Sequence, residues 1–239
     1  MSERTRNGGG ARELREDIKQ LLLDRGLRPG DAVPSEASLI EILGVSRGSL
    51  REALKSLQAL EIIETRHGSG MFVGHLSLTA MADGLAFHSQ LGDGQDDLST
   101  AADLADIRGI LEIQLIRRIA ESITDEEIGR LDEILDRMAE VAARGDDIDD
   151  IDREFHAELY VRLGNFLVLQ LLDVFWRALS AVRPSLPDPF SRPGEAVEKH
   201  RAIVDSLRER DADAAEAAMR VHFAGTRGWI RESVSQRAE

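Results

Sequence analysis

The sequence predicts a mainly α protein in two parts, an N-terminal winged helix-turn-helix and a C-terminal all-α bundle of six or seven helices. Three observations predict it. Residues 11–73 show three helix-period runs followed by two short β-prone runs. Beyond Val73 the helical period recurs and no strand pattern is found. The charge divides at the same place: residues 1–75 carry 11 Lys/Arg and 11 Asp/Glu, whereas residues 76–239 hold the whole net charge of −14. The expected organisation is a flexible tail at 1–10, a winged helix-turn-helix at 11–75, a linker helix and loop at 76–97, and a helical domain at 98–239.

Each element has a local reason. Gly8-Gly9-Gly10 disfavours order, and from Ala11 the apolar residues Leu14, Ile18, Leu21 and Leu22 recur at helical spacing up to Gly26. Pro29-Gly30-Asp31 is a turn. Ser35 is placed to cap a short helix through Leu43, Gly44 breaks it, and Ser46 can cap a third helix to about Leu60. Ile62-Ile63-Glu64-Thr65 and Met71-Phe72-Val73 read as a hairpin around Arg66-His67-Gly68-Ser69-Gly70. Helical periodicity then covers Leu76–Leu91, Ser99–Ile123, Thr124–Ala143, Ile148–Leu163, Phe166–Val182, Gly194–Arg210 and Asp211–Val234. Thr124 and Glu127 fit a capping box, and Asp211 can cap the last helix.

Composition excludes several classes. With no cysteine there are no disulfides, thiolate metal sites or cysteine nucleophiles. The first residues lack an apolar h-region, and no apolar run approaches a bilayer span, so neither a signal peptide nor a membrane partner is expected, and the protein should be soluble and cytoplasmic. The acidic second part repels a polyanion and leaves any nucleic-acid contact to the neutral first part.

Two short helices joined by a tight turn, then a hairpin, place the second helix in a DNA major groove. Arg47 and Arg51 lie four apart on its N-terminal part. A guanidinium there can pair bidentately with guanine or clamp a phosphate. Ser46 and Ser49 offer hydroxyls, and Gly68 and Gly70 let the hairpin tip approach a phosphate backbone beside Arg66 and His67. The alternative for both arginines is a solvated ion pair on an ordinary helix face. The blocks Pro29–Glu36 (PGDAVPSE), Gly44–Leu54 (GVSRGSLREAL) and Arg66–Val73 (RHGSGMFV) resemble the GntR family of bacterial transcriptional regulators. That resemblance implies DNA contacts from Ser46, Arg47 and Arg51, with Gly68 at the wing tip. The candidate DNA-binding set is Ser35, Ser46, Arg47, Ser49, Arg51, His67 and Gly68, and the resemblance implies a homodimer that reads a palindromic double-stranded DNA operator. Two departures bear on sequence preference: Ala37 stands where the family has arginine, and Gly48 lies inside the recognition helix, at a cost of about 1 kcal/mol relative to alanine.

Of six histidines, His156 lies four residues after Asp152 on one helical face, while His200 and His222 fall in later helices. A bundle can converge such side chains on one ion. One carboxylate with three imidazoles suits a divalent Zn, Ni, Mn or Fe. The segments Asp152–His156 (DREFH), Glu198–His200 (EKH) and Met219–His222 (MRVH) resemble the all-helical FCD domain of FadR-type GntR regulators, over roughly residues 98–230. The resemblance implies Asp152, His156, His200 and His222 as metal ligands, an effector-binding and dimerising role for this domain, and a small carboxylate effector. Arg108, in the run Ala105–Glu112 (ADIRGILE), is the candidate effector-binding arginine; a salt bridge with a bundle carboxylate is its other reading. Asn165 either bonds a metal's water or caps the Phe166 helix. His75 and His88 match nothing in the pattern.

The function expected is therefore a DNA-binding regulator, not an enzyme, whose operator binding is controlled by an organic acid at a metal. Its alternatives are a regulator with a structural or sensed metal and, from another class, a metal-dependent hydrolase or lyase. No glutamate is placed in a general-base motif for the last, and it leaves the winged helix without a role.

Overall fold

The structure, a computed structural model, describes residues 9–88, 95–182 and 193–237. The chain divides into two compact units, Met1–Ala80 and Met81–Glu239. The division falls a few residues beyond the change in charge, inside the first turn of a helix.

The first unit contains α1 (Gly9–Asp24), α2 (Glu36–Leu43), α3 (Arg47–Ala59), β1 (Ile63–Arg66) and β2 (Gly70–Val73). Leu14, Ile18 and Leu22 form a four-residue stripe on α1; Leu50, Ala53, Leu54 and Leu57 form a three–four stripe on α3. These stripes meet Leu39, Val33 and Ile63 in one core. Both cap readings correspond to bonds in the structure. Ser35 accepts from Ser38 N at 3.2 Å and Ser46 from Ser49 N at 3.1 Å. Gly44 ends α2 at φ 65°, a left-handed position that glycine takes without strain.

Strands β1 and β2 pair antiparallel, with Ile63 opposite Val73 and Arg66 opposite Gly70. Alternation did not mark the extended segment before α2, yet it adds to the other edge of β2. Gly30 N donates to Val73 O, Val33 N to Met71 O and Val73 N to Asp31 O, each at 2.8 Å. Non-local partners create that rung, so local periodicity could not show it.

The second unit is a bundle of α4 (Thr79–His88), α5 (Gln95–Ala120), α6 (Asp125–Ala143), α7 (Asp149–Val161), α8 (Phe166–Val182), α9 (Pro193–Arg208) and α10 (Ala212–Arg237). Helix α4 starts three residues later than the periodicity suggests, because Ser77 Oγ accepts from Thr79 N at 3.1 Å and holds a turn there. The long helices α5 and α10 pack together; α6 packs on α9 and α7, and α8 on α5 and α7. Buried Ile116, Ile119, Leu131, Met138, Phe155, Tyr160, Ile203, Leu207, Met219 and Phe223 fill the interior. Helix α6 begins with the full capping box: Thr124 Oγ1 accepts from Glu127 N, and Glu127 Oε2 accepts from Thr124 N at 2.8 Å. Asp211 Oδ1 accepts from Ala214 N at 2.9 Å and opens α10. The fold is thus mainly α, a winged helix-turn-helix and an all-α bundle.

Candidate functional site

In the first unit the capping geometry of α3 sets its exposed N-terminal face. Ser46 and Ser49 bond one another, Oγ to Oγ, at 2.9 Å, and both remain exposed. Arg47 is exposed and has no ion-pair partner among the described residues. Arg51 donates from Nε to Glu36 Oε2 at 3.0 Å, so α2 supplies a carboxylate that orients the guanidinium. Both partners of this pair are substantially exposed. Such a pair contributes at most about 1 kcal/mol, and a phosphate or guanine can displace it. Ser35 caps α2 and shares its hydroxyl with Ser38 at 3.0 Å.

At the hairpin tip His67 and Gly68 are exposed, with Gly68 at φ 72° and Gly70 at φ 101°. Arg66 pairs with Glu64 and lies over the Phe72 ring at 4.2 Å, which fixes one side of the wing. His75 faces Gly30 inside this unit, and His88 packs edge-on to Phe87; neither joins a cluster.

In the second unit four side chains from three helices converge. Asp152 and His156 lie on one face of α7, His200 on α9 and His222 on α10, and one ligand atom from each lies within 4.8 Å of the others. His156 Nε2 is 3.1 Å from His222 Nε2 and 3.7 Å from Asp152 Oδ1. His200 Nε2 is 2.5 Å from the same Oδ1. With its Nδ1 turned to Ala196 O, a neutral His200 ring presents a lone pair to Oδ1, and both atoms are left unsatisfied. Buried polar atoms left in that state cost free energy unless a third body satisfies them. A cation is such a body for one carboxylate oxygen and imidazole lone pairs.

The backs of two of the three rings fit the same reading, while His222 Nδ1 is buried without a hydrogen-bond partner among the described residues. Metal-ligating histidines characteristically donate their other N–H to a carboxylate or carbonyl. His156 Nδ1 meets Glu112 Oε2 at 2.5 Å, and His200 Nδ1 meets Ala196 O at 2.8 Å. Burial lowers the His222 pKa well below the ordinary imidazole value, and His200 and His156 lower it further; the ring is held neutral, the form that ligates. Burial would raise Asp152, but His200 first, then His156, outweigh it and hold the carboxyl well below the usual range. The residues present therefore fit a divalent cation.

Behind the cluster lies a buried arginine. Arg108 on α5 is 4% exposed, and Nε donates to Glu112 Oε1 at 2.6 Å. Its guanidinium carbon lies 4.4 Å from the Trp176 ring centroid and 5.2 Å from that of Phe223. Nη2 is buried without a partner among the described residues. One edge of the fork is thus in the salt bridge that was the other reading of Arg108, and the other edge is unspent. Asn165 is exposed and caps α8, its Oδ1 accepting from Leu167 N at 3.2 Å. Its place is on the surface rather than in the buried cluster.

The residue that sequence reasoning left without a role is Glu112. It is fully buried, and burial would raise its pKa, but His156 and Arg108 outweigh that and hold it anionic. Tyr160 OH donates to its backbone oxygen at 3.2 Å. The signal in the sequence was the four-residue spacing from Arg108; its bond to His156, on another helix, is tertiary.

Comparison with known proteins follows the same division. Residues 11–73 match the family of bacterial regulatory proteins called gntR, and residues 103–225 match the FCD domain. The HTH-type transcriptional repressor NanR of Cronobacter sakazakii (strain ATCC BAA-894) is 31% identical over 217 residues, covering 88% of this chain and 81% of that protein. NanR of Citrobacter rodentium (strain ICC168) is 28% identical over 221 residues, covering 88% and 81%. The solved structure of Streptococcus agalactiae GntR has a TM-score of 0.65 at 27% identity and covers 91% of this chain and 98% of that one. Among the described residues no helix is long and apolar enough to cross a membrane. With a winged helix-turn-helix matched in its first unit and an FCD domain in its second, the chain belongs to the GntR family of bacterial regulatory proteins and is a regulator, not an enzyme.

Proposed function

We propose that this regulator binds a palindromic DNA operator as a homodimer, and that a small organic acid at a divalent cation in the helical unit controls that binding. The observation that carries the reading is the convergence of Asp152, His156, His200 and His222 on one buried point, with the unpartnered Nη2 of Arg108 close behind. Asp152 and the three imidazoles would hold the ion, of the Zn, Ni, Mn or Fe kind. When bound, the ion supplies Lewis acidity and open positions that attract a carboxylate. Arg108 would donate to the acid from a site that excludes water, where a charge-assisted bond is strong.

Operator reading falls to Arg47 and Arg51, with Ser35, Ser46 and Ser49 on the same face and His67 and Gly68 at the wing. The repressor names of the related proteins support repression as its outcome. The acid must favour one dimer arrangement over another, since equal affinity for both would shift nothing. The helical unit is accordingly proposed as the effector-binding and dimerisation domain.

The test is calorimetric titration of candidate hydroxy acids and dicarboxylates into cation-loaded and stripped protein, with operator binding followed by gel shift. Loss of acid affinity and of the DNA response on stripping is the expected result. Equal acid affinity in both preparations would make the ion structural only.

A further inference from the structure

The carboxylate of Glu112 sits between two groups with different demands. Oε1 accepts from Arg108 Nε at 2.6 Å and Oε2 faces His156 Nδ1 at 2.5 Å, all three side chains being buried. A carboxylate can only accept, so His156 must carry its proton on Nδ1. In the neutral ring that leaves the lone pair on Nε2, the nitrogen 3.1 Å from His222 Nε2 in the cluster. Arg108 likewise has no acceptor to offer and holds one Glu112 oxygen permanently. Held at both oxygens and fully buried, the Glu112 carboxylate has little freedom to turn away.

We infer that Glu112 is a positioning residue that fixes the His156 tautomer toward the cation site and ties that tautomer to the placement of Arg108. Its effect on cation affinity rests on the site proposed above; its effect on the tautomer does not. The chemistry of Glu112→Gln separates the two. Glutamine has one acceptor, which Arg108 Nε–H claims, so the amide NH₂ faces His156 Nδ1. The ring must then accept at Nδ1, and its proton moves to Nε2, directed into the cluster. Removing the claim on the acceptor with Arg108→Met in the same chain lets the amide oxygen turn back to His156, and the original tautomer returns.

The experiment is nitrogen-15 NMR of His156 in metal-free full-length protein, above the ordinary imidazole titration range, together with Zn²⁺ affinity by chelator competition. In Glu112→Gln the tautomer should reverse and Zn²⁺ should bind about 10–100-fold more weakly, the size of effect typical of outer-shell partners. Arg108→Met/Glu112→Gln should recover most of both. Should Glu112→Gln fail to fold, that double variant is compared with Arg108→Met/Glu112→Leu, which has no acceptor for Nδ1–H and should bind Zn²⁺ more weakly. An unchanged tautomer in Glu112→Gln, or equal Zn²⁺ affinities within the compared pair, overturns the assignment. A wild-type protein that takes up no Zn²⁺ refutes the cation site instead, and the tautomer measurement alone then decides the role of Glu112.

Discussion

Gly74 offers a test of the wing that needs no ligand. Immediately after β2 the chain passes so close to Glu61 that a Cβ on Gly74 would lie 1.9 Å from Glu61 O and 2.9 Å from Glu61 C. Both obstacles are backbone, so no side chain can swing aside. Gly74 N also donates to Ile62 O at 2.9 Å, next to the Ile63–Val73 pair that registers the hairpin. Gly74→Ala must therefore open this half-buried crossing by roughly 1.5 Å, against packed backbone that tolerates little displacement. Overpacking of this kind costs about 1–3 kcal/mol, and losing the backbone bond adds about 1. For a domain of this size a total of about 2–4 kcal/mol lowers the melting temperature by roughly 10–25 °C.

Gly48→Ala is the contrasting substitution: its Cβ would meet only Ser46 Oγ, at an ordinary 3.9 Å. There alanine should stabilise α3 by about 0.5–1 kcal/mol. Thermal unfolding of the full chain separates the units, because both tryptophans, Trp176 and Trp229, belong to the second. Circular dichroism should show an early transition in Gly74→Ala that tryptophan fluorescence does not follow. A wild-type dichroism melt, or an equal fall in the fluorescence transition, would refute the argument.

Three further outcomes are expected. Arg47→Ala should weaken operator binding by about 1–3 kcal/mol in gel-shift titration at fixed salt, and Arg51→Ala by somewhat less, since Glu36 already competes for its guanidinium; unchanged affinity in both removes α3 from the interface. Burial would raise the Glu127 carboxyl, but bonds from Thr124 and Arg162 outweigh it and hold its pKa below the ordinary value. Its stabilising effect is then complete above the unfolded value of about 4.3 and is lost as pH falls through the lower folded value, so Glu127→Gln should flatten the acid limb of the stability curve, and a parallel limb would count against the capping box. Zn²⁺ at 100 times its dissociation constant should stabilise the bundle by about 2.7 kcal/mol, or roughly 5–10 °C, with the gain abolished in His200→Ala; an equal gain in that variant would exclude the four-residue site.

Most of the helices were legible in the sequence because their causes are local. Caps at Ser35, Ser46, Thr124 and Asp211 bond to amides two or three residues away, and the apolar stripes of α1 and α3 repeat every three or four residues. The resemblance at residues 11–73 and 98–230 rested on local blocks in the same way, and it named Asp152, His156, His200 and His222 together. Spacing by itself placed only Asp152 and His156 on a common face. Bringing His200 and His222 to the same point required α9 and α10 to pack against the bundle, an event set by apolar burial along whole helices rather than by the histidines.

What only the tertiary structure decided lies between elements distant in the chain. The strand-like rung at residues 30–33 exists because β2 has an edge to receive it. Arg51 is oriented by Glu36 from another helix, and the crossing at Gly74 is tight because Glu61 turns back against it. Asn165, open to two readings in sequence, is an exposed cap. Glu112 was visible only as the end of a four-residue spacing from Arg108, and its bond to His156 spans 44 residues. Periodicity and caps are short-range consequences of backbone geometry, whereas a buried polar network depends on which helix faces share the interior, and that is settled only when the whole bundle packs.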